Sequence, residues 1–177
     1  MKNNKELIIV IIIVLFCLFM SRVQAQERQI ISIGIDPKLA IEGAYDYDNT
    51  PVAHIHFEWL TSLEKWEGGI RVSYANLQPY KYFDMGFLYN RKINLFKTEA
   101  VETLIGAEVG LIVRDFPLYD TQKAYFDYGI NTQMRFWLSS WFGFYVKGSL
   151  SPRNDLDYYG SHQFAHFDGE LGIVINF

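Results

Sequence analysis

The chain is poor in the residues that stabilise or arm most small exported domains. It holds one cysteine, Cys17, five prolines and four histidines in 177 residues. Cys17 sits in an unbroken apolar run over residues 7–20 that follows Lys2 and Lys5 and precedes Val23-Gln24-Ala25. This order reads as a secretory signal peptide with its small-residue cleavage site, so residues 1–25 are expected to be removed. Phe16 before Cys17 argues against a lipoprotein acceptor, which takes a small residue there. The remaining 152 residues then have no disulfide, no thiol nucleophile and no cysteine metal site. They also lack net basic charge: without Lys2, Lys5, Arg22 and Glu6, 13 basic residues face 19 acidic ones, a charge of −6. The electrostatic footprint of a nucleic-acid partner is therefore absent. After residue 25 no apolar run approaches the roughly 18 residues of a membrane helix, which leaves a soluble domain or a chain that crosses a membrane as strands.

What is abundant is aromatic residues, 28 of those 152, and a two-residue alternation, the period of strands with unlike faces. Phe167, Leu171, Ile173, Ile175 and Phe177 share one parity, with Asp168, Glu170, Gly172 and Asn176 on the other. Similar segments lie at 142–151, 124–138, 103–114, 83–92, 69–75 and 52–61. The first, Ile31, Ile33, Ile35, Leu39 and Ile41, keeps its parity through Pro37, which predicts a bulge or a boundary there. The count is eight strands with nearly no helix signal, and residues 26–177 are expected to form one domain.

Alternation alone does not say which face points inward. An eight-stranded barrel has an interior that side chains just fill. The apolar parity is too bulky for it: Ile55, Phe57, Trp59, Val72, Phe83, Phe87, Val109, Leu111, Phe126, Ile130, Phe136, Phe144, Val146, Leu171, Ile173 and Ile175. The other parity is smaller and carries Glu58, Arg71, Asp84, Lys92, Glu108, Arg114, Asp127, Arg135, Lys147, Asp168 and Glu170, with nearly cancelling charge. Buried charge is tolerable when paired, so this face suits a lumen with an ion-pair network. The apolar face carries charge only near strand ends, at Arg91 and Asp115. A charge at the bilayer midplane would cost roughly 2 to 4 kcal/mol, so this face suits lipid. Strands in lipid must close to satisfy their edges. The expected fold is therefore all-β, a closed antiparallel eight-stranded transmembrane barrel in up-and-down order. Interface girdles are expected from Trp59, Trp66, Trp141 and Phe177 at the periplasmic rim. Tyr74, Tyr80, Tyr82, Tyr119, Tyr125 and Tyr158 are the candidates for the opposite rim.

A cleavable signal, an even strand count and a last strand of the form Phe167-x-x-x-Leu171-x-Ile173-x-Ile175-x-Phe177 resemble the small outer-membrane β-barrel proteins of Gram-negative bacteria, of the outer membrane protein A and X type. The resemblance implies a location in the outer membrane, contact with its lipid and lipopolysaccharide, and Phe177 as the signal read by the barrel assembly machinery. It implies no single function, because the class includes anchors, adhesion proteins, narrow pores and lipid A-modifying enzymes.

Two residue sets offer chemistry. His54 and His56 with Glu58 have a spacing suited to one divalent metal, against the alternative of polar groups filling a lumen. Ser161, His162 and His166 with Asp168 and Glu170 resemble a hydrolase set, but no catalytic motif surrounds Ser161 and three members have lumen parity. The reading adopted is a non-enzymatic membrane barrel with a structural or surface-interaction role, without cofactor or metal and with its protein partner unknown. Its rivals are a lipid A-modifying enzyme, a narrow pore and a soluble calycin-like lipid carrier.

Overall fold

The computed structural model describes residues 28–42, 51–77, 80–93, 95, 96, 98, 100–116, 120–152 and 166–177. Eight strands run β1 (Arg28–Ile35), β2 (His54–Ser62), β3 (Trp66–Leu77), β4 (Tyr80–Ile93), β5 (Val101–Phe116), β6 (Thr121–Trp137), β7 (Phe142–Ser151) and β8 (His166–Asn176). Each pairs antiparallel with its neighbours in sequence, and β1 pairs with β8 to close the barrel. The strands outrun the alternating segments at several ends. β3 starts at Trp66, β5 reaches Phe116 and β6 begins at Thr121, where turn residues had suggested longer loops.

The register fixes the barrel's dimensions. From Gln29 the partners run through Thr61, Gly68, Tyr89, Ala107, Ile130, Leu150 and Phe167. Gln29 itself exchanges both backbone hydrogen bonds with Phe177, ten residues beyond the point where the path meets β8. An eight-strand closure with that offset tilts the strands by about 40° and gives a radius of about 8 Å.

The first strand does not continue through Pro37. Because Gln29 bonds to Phe177 and Ile35 stands opposite Leu171, the next bonded pair would require residue 37 to donate to Gly169. Proline has no N–H, so the ladder stops. The chain turns instead into a six-residue helix, α1 (Pro37–Glu42). Asp36 caps it, its Oδ1 accepting the N–H groups of Lys38 at 2.8 Å and Leu39 at 3.1 Å. Proline is favoured at the first helical position, where its missing donor costs nothing. Leu39 consequently turns into the barrel mouth, 8% exposed, against Ala75, Tyr82, Ile112 and Phe116, while Ile41 is exposed.

Burial is inverted relative to a soluble protein. Among the described residues, twenty buried side chains are polar or charged and eleven are apolar, whereas Ile130, Phe126, Phe144 and many other large apolar groups face outward exposed. Inside, layers alternate along the axis. Nearest the end that bears Arg28 and Phe177 lies a charged layer with Glu67, Lys92, Glu102 and Arg135. An apolar layer of Ile30, Leu60, Leu88, Tyr145 and Val174 follows, then the central charges around Arg71 and Lys147, then the Leu39 cluster. Glycines make room for this filling: a Cβ at Gly172 would collide with the Ile33 carbonyl and meet the Tyr145 ring at 2.6 Å.

Candidate functional site

Two surfaces carry the chemistry, a lumen packed with charge and an outward belt without it. In the lumen, Arg71 on β3 reaches across β4 and gathers three carboxylates. Its guanidinium lies 2.7 Å from Asp84 and 3.0 Å from Glu108, and it also bonds Asp127 on β6. Lys147 on β7 donates to Glu58 on β2 at 2.6 Å and stands 3.6 Å from Glu108 and 3.9 Å from Glu170. Glu108 therefore links the two cations. The Tyr145 hydroxyl donates to Glu170, which lies 3.7 Å from His56 Nδ1.

The second cluster lies near the end of the barrel that bears Arg28 and Phe177. Arg135, fully buried, places Nη1 and Nη2 each 2.8 Å from the Glu67 carboxylate and donates to Gln133 at 3.0 Å. Lys92 donates to the Ser62 hydroxyl at 2.6 Å and lies 3.5 Å from Glu67. Glu102 accepts the Trp137 indole N–H at 2.9 Å. Sequence reasoning missed Glu67 and Glu102 because both lie just before the alternating segments 69–75 and 103–114. Their parity was the available signal, since Glu67 continues the alternation of Gly69 and Arg71, and Glu102 that of Gly106 and Glu108. Below this cluster the mouth opens into a vestibule of about 1100 Å³ lined by Arg28, Lys92, Glu102, Trp137 and Phe177. At the other end Arg114 on β5 is buried, opposite Lys123 of β6 in register.

The two histidines come together without Glu58. The His54 and His56 rings are 4.0 Å apart, and His54 meets Tyr82 edge-on at 5.2 Å, but Glu58 is turned to Lys147. Among the described residues no group of three His, Cys, Asp or Glu converges as a metal ion requires. Both histidines line a cavity of about 20 Å³ with Asp84, Asp127, Asp168 and Glu170. That is room for about one water molecule. His166 Nε2 lies 3.0 Å from Asp168 Oδ1, and Ser161 and His162 lie outside the described residues. Asp36, beyond the end of β1, has its carboxyl pushed above the ordinary value. Burial is the main cause and nearby Asp168 adds to it, against the opposing hydrogen bonds from Leu39 and Lys38.

On the outside, none of the sixteen belt positions from Ile55 to Ile175 is buried; each is exposed or half-buried. Trp59, whose indole donates to Gln29 at 2.9 Å, stands with Trp66, Trp141 and Phe177 in the half of the barrel nearer Arg28 and Phe177. The tyrosine rim differs from expectation. Tyr74 faces outward, but Tyr82 is buried in the Leu39 cluster and Tyr125 packs against it, because both occupy lumen parity on their strands. The Tyr80 side chain, Tyr119 and Tyr158 lie outside the described residues.

No protein-family model matches the chain, and no curated protein matches its sequence. Solved structures do match in fold. Neisserial surface protein A (NspA) superposes with a TM-score of 0.55 at 10% identity, over 85% of this chain and 95% of that one. Ail, the attachment invasion locus protein of Yersinia pestis, covers the same shares at 12% identity with a TM-score of 0.44. The likeness to NspA, together with the closed meander, gives this chain the fold of a small outer-membrane β-barrel.

Proposed function

We propose that the protein is an integral barrel of the cell outer membrane with a structural or surface-interaction role. The observation that carries this reading is the inverted burial: a belt of exposed apolar side chains surrounds a lumen filled with paired charge. A soluble carrier needs the opposite arrangement, an apolar cavity and a polar outside. The surface of this barrel is complementary to lipid, and its rims to the headgroups of phospholipid and lipopolysaccharide. The similarity in fold to a protein named as a Neisserial surface protein supports the surface role.

The interior supports this role over that of a pore. Leu39 and its neighbours fill one mouth, and the Ile30, Leu60, Leu88, Tyr145 and Val174 layer crosses the lumen between the two charged clusters. The reading assigns no catalytic residue. During biogenesis Phe177, exposed at the barrel's end, is the group offered to the assembly machinery.

Membrane fractionation with heat-modifiable gel migration tests the class. The mature chain should partition with outer membranes and migrate differently before and after boiling. Recovery in the aqueous fraction without detergent would reject the reading. Planar bilayers should stay electrically silent, and pull-down of a defined envelope or surface partner through the extracellular loops tests the role.

A further inference from the structure

The outward parity of the strands carries few charges, and they are not alike. Lys81 and Asp115 stand opposite each other in register at the extracellular end. Arg91, near the periplasmic end of β4, stands instead between Trp66 on β3 and Ile105 on β5. Among the described residues no carboxylate pairs with it. Its guanidinium carbon lies 5.2 Å from the centre of the Trp66 ring, and that ring stacks on Tyr89 at 5.1 Å with 18° between the planes. Arg91 and Tyr89 are exposed and Trp66 is half-buried, so the three form an outward-facing platform.

We propose that Arg91, Trp66 and Tyr89 form a binding site for the headgroup of an anionic glycerophospholipid in the periplasmic leaflet. The inference rests on the membrane reading above. Its depth fits: Arg91 lies two residues from the end of β4, at the level where tryptophan and tyrosine rings mark the interface. Its charge fits, because a guanidinium turned towards lipid without a carboxylate is matched by a phosphate, which it can grip with two parallel hydrogen bonds. The cation–π contact holds that fork in place before the lipid arrives. Above the platform, exposed Phe87, Ile105 and Val109 offer apolar surface along which an acyl chain can lie. A zwitterionic headgroup brings its own ammonium to the phosphate and gains less from Arg91.

The test is lipid retention by the mature barrel, offered equal amounts of phosphatidylglycerol and phosphatidylethanolamine in detergent micelles and read by native mass spectrometry. Wild type should favour phosphatidylglycerol by about five-fold, the factor one basic side chain near an anionic surface supplies. Arg91→Gln should abolish the preference, Arg91→Lys should keep part of it, and Lys65→Gln in the adjacent turn should leave it intact. Heat-modifiable migration, measured on the same samples, reports whether each barrel is formed. A formed wild-type barrel without preference, or a formed Arg91→Gln barrel that retains it, overturns the site and leaves the barrel reading standing. Loss of heat-modifiable migration in wild type overturns that reading itself.

Discussion

Lys147 on β7 and Glu58 on β2 meet inside the barrel with 2.6 Å between Nζ and Oε1, 89 residues apart in the chain. The pair is not symmetric. Glu58 has Lys147 as its cation, but Lys147 also serves Glu108 and Glu170, and among the described residues the central cluster has only Arg71 as a second Lys or Arg cation. Lys147→Met should therefore cost about 3 to 5 kcal/mol, the penalty of leaving buried charge uncompensated. Glu58→Gln retains an acceptor and should cost roughly 1 to 3 kcal/mol. Urea unfolding in lipid vesicles checks the order, and a Glu58 variant as damaging as the Lys147 one would contradict it.

The belt predicts an effect that depends on position around and along the barrel. Val109 and Ile130 are exposed on the outward face of β5 and β6. Arginine at either should lower stability by roughly 2 to 4 kcal/mol if the site lies near the bilayer midplane, with impaired insertion. Ser140→Arg, in the exposed β6–β7 turn, should insert normally. Comparing the heat-modifiable fraction of the three variants decides it, and equal insertion would remove the case for lipid on this face.

The strands and their facing were legible because a period of two is a local property that survives any tertiary context. Phe142, Phe144 and Val146 announce their face without knowledge of a neighbour. The lumen pairs were not legible one by one. Arg71 meets Glu108 only because β3 and β5 flank β4 on a curved sheet, and a register is needed to say so. Tyr82 and Tyr125 misled because tyrosine near a strand end suits an interface, yet parity placed both inside. Leu39 misled for the opposite reason. Its parity continued that of Ile35, but Pro37 ended the ladder and the short helix rotated it into the mouth.

Phe177 has two separable tasks. Its backbone exchanges hydrogen bonds of 3.0 Å with Gln29 and so closes the barrel, while its side chain is exposed. Phe177→Ala keeps the backbone bonds and should refold in detergent like wild type. In cells the same variant should accumulate in the periplasm if the aromatic side chain is the assembly signal. Refolding kinetics in vitro, set against outer-membrane yield in vivo, separate the two tasks. Equal yield in cells would assign Phe177 to closure alone.

Asp36 gives a pH dependence of definite sign. Its folded-state carboxyl titrates above the ordinary value of 3.8, chiefly because it is buried. Between the unfolded and folded values the folded chain holds the proton more firmly, so stability falls as pH rises. The contribution is complete below about pH 3.8 and is lost once pH has passed the folded value. Asparagine caps a helix as well as aspartate and carries no charge into the mouth of the barrel. Asp36→Asn should therefore match wild type in acid and exceed it at neutral pH, with the hydrogen bonds to Lys38 and Leu39 retained. The measurement is the difference in urea midpoint between the two chains across pH 3 to 8, which cancels the titration of the shared lumen carboxylates. A difference that stays constant across that range would show that the carboxyl of Asp36 is not held in its neutral form by the fold.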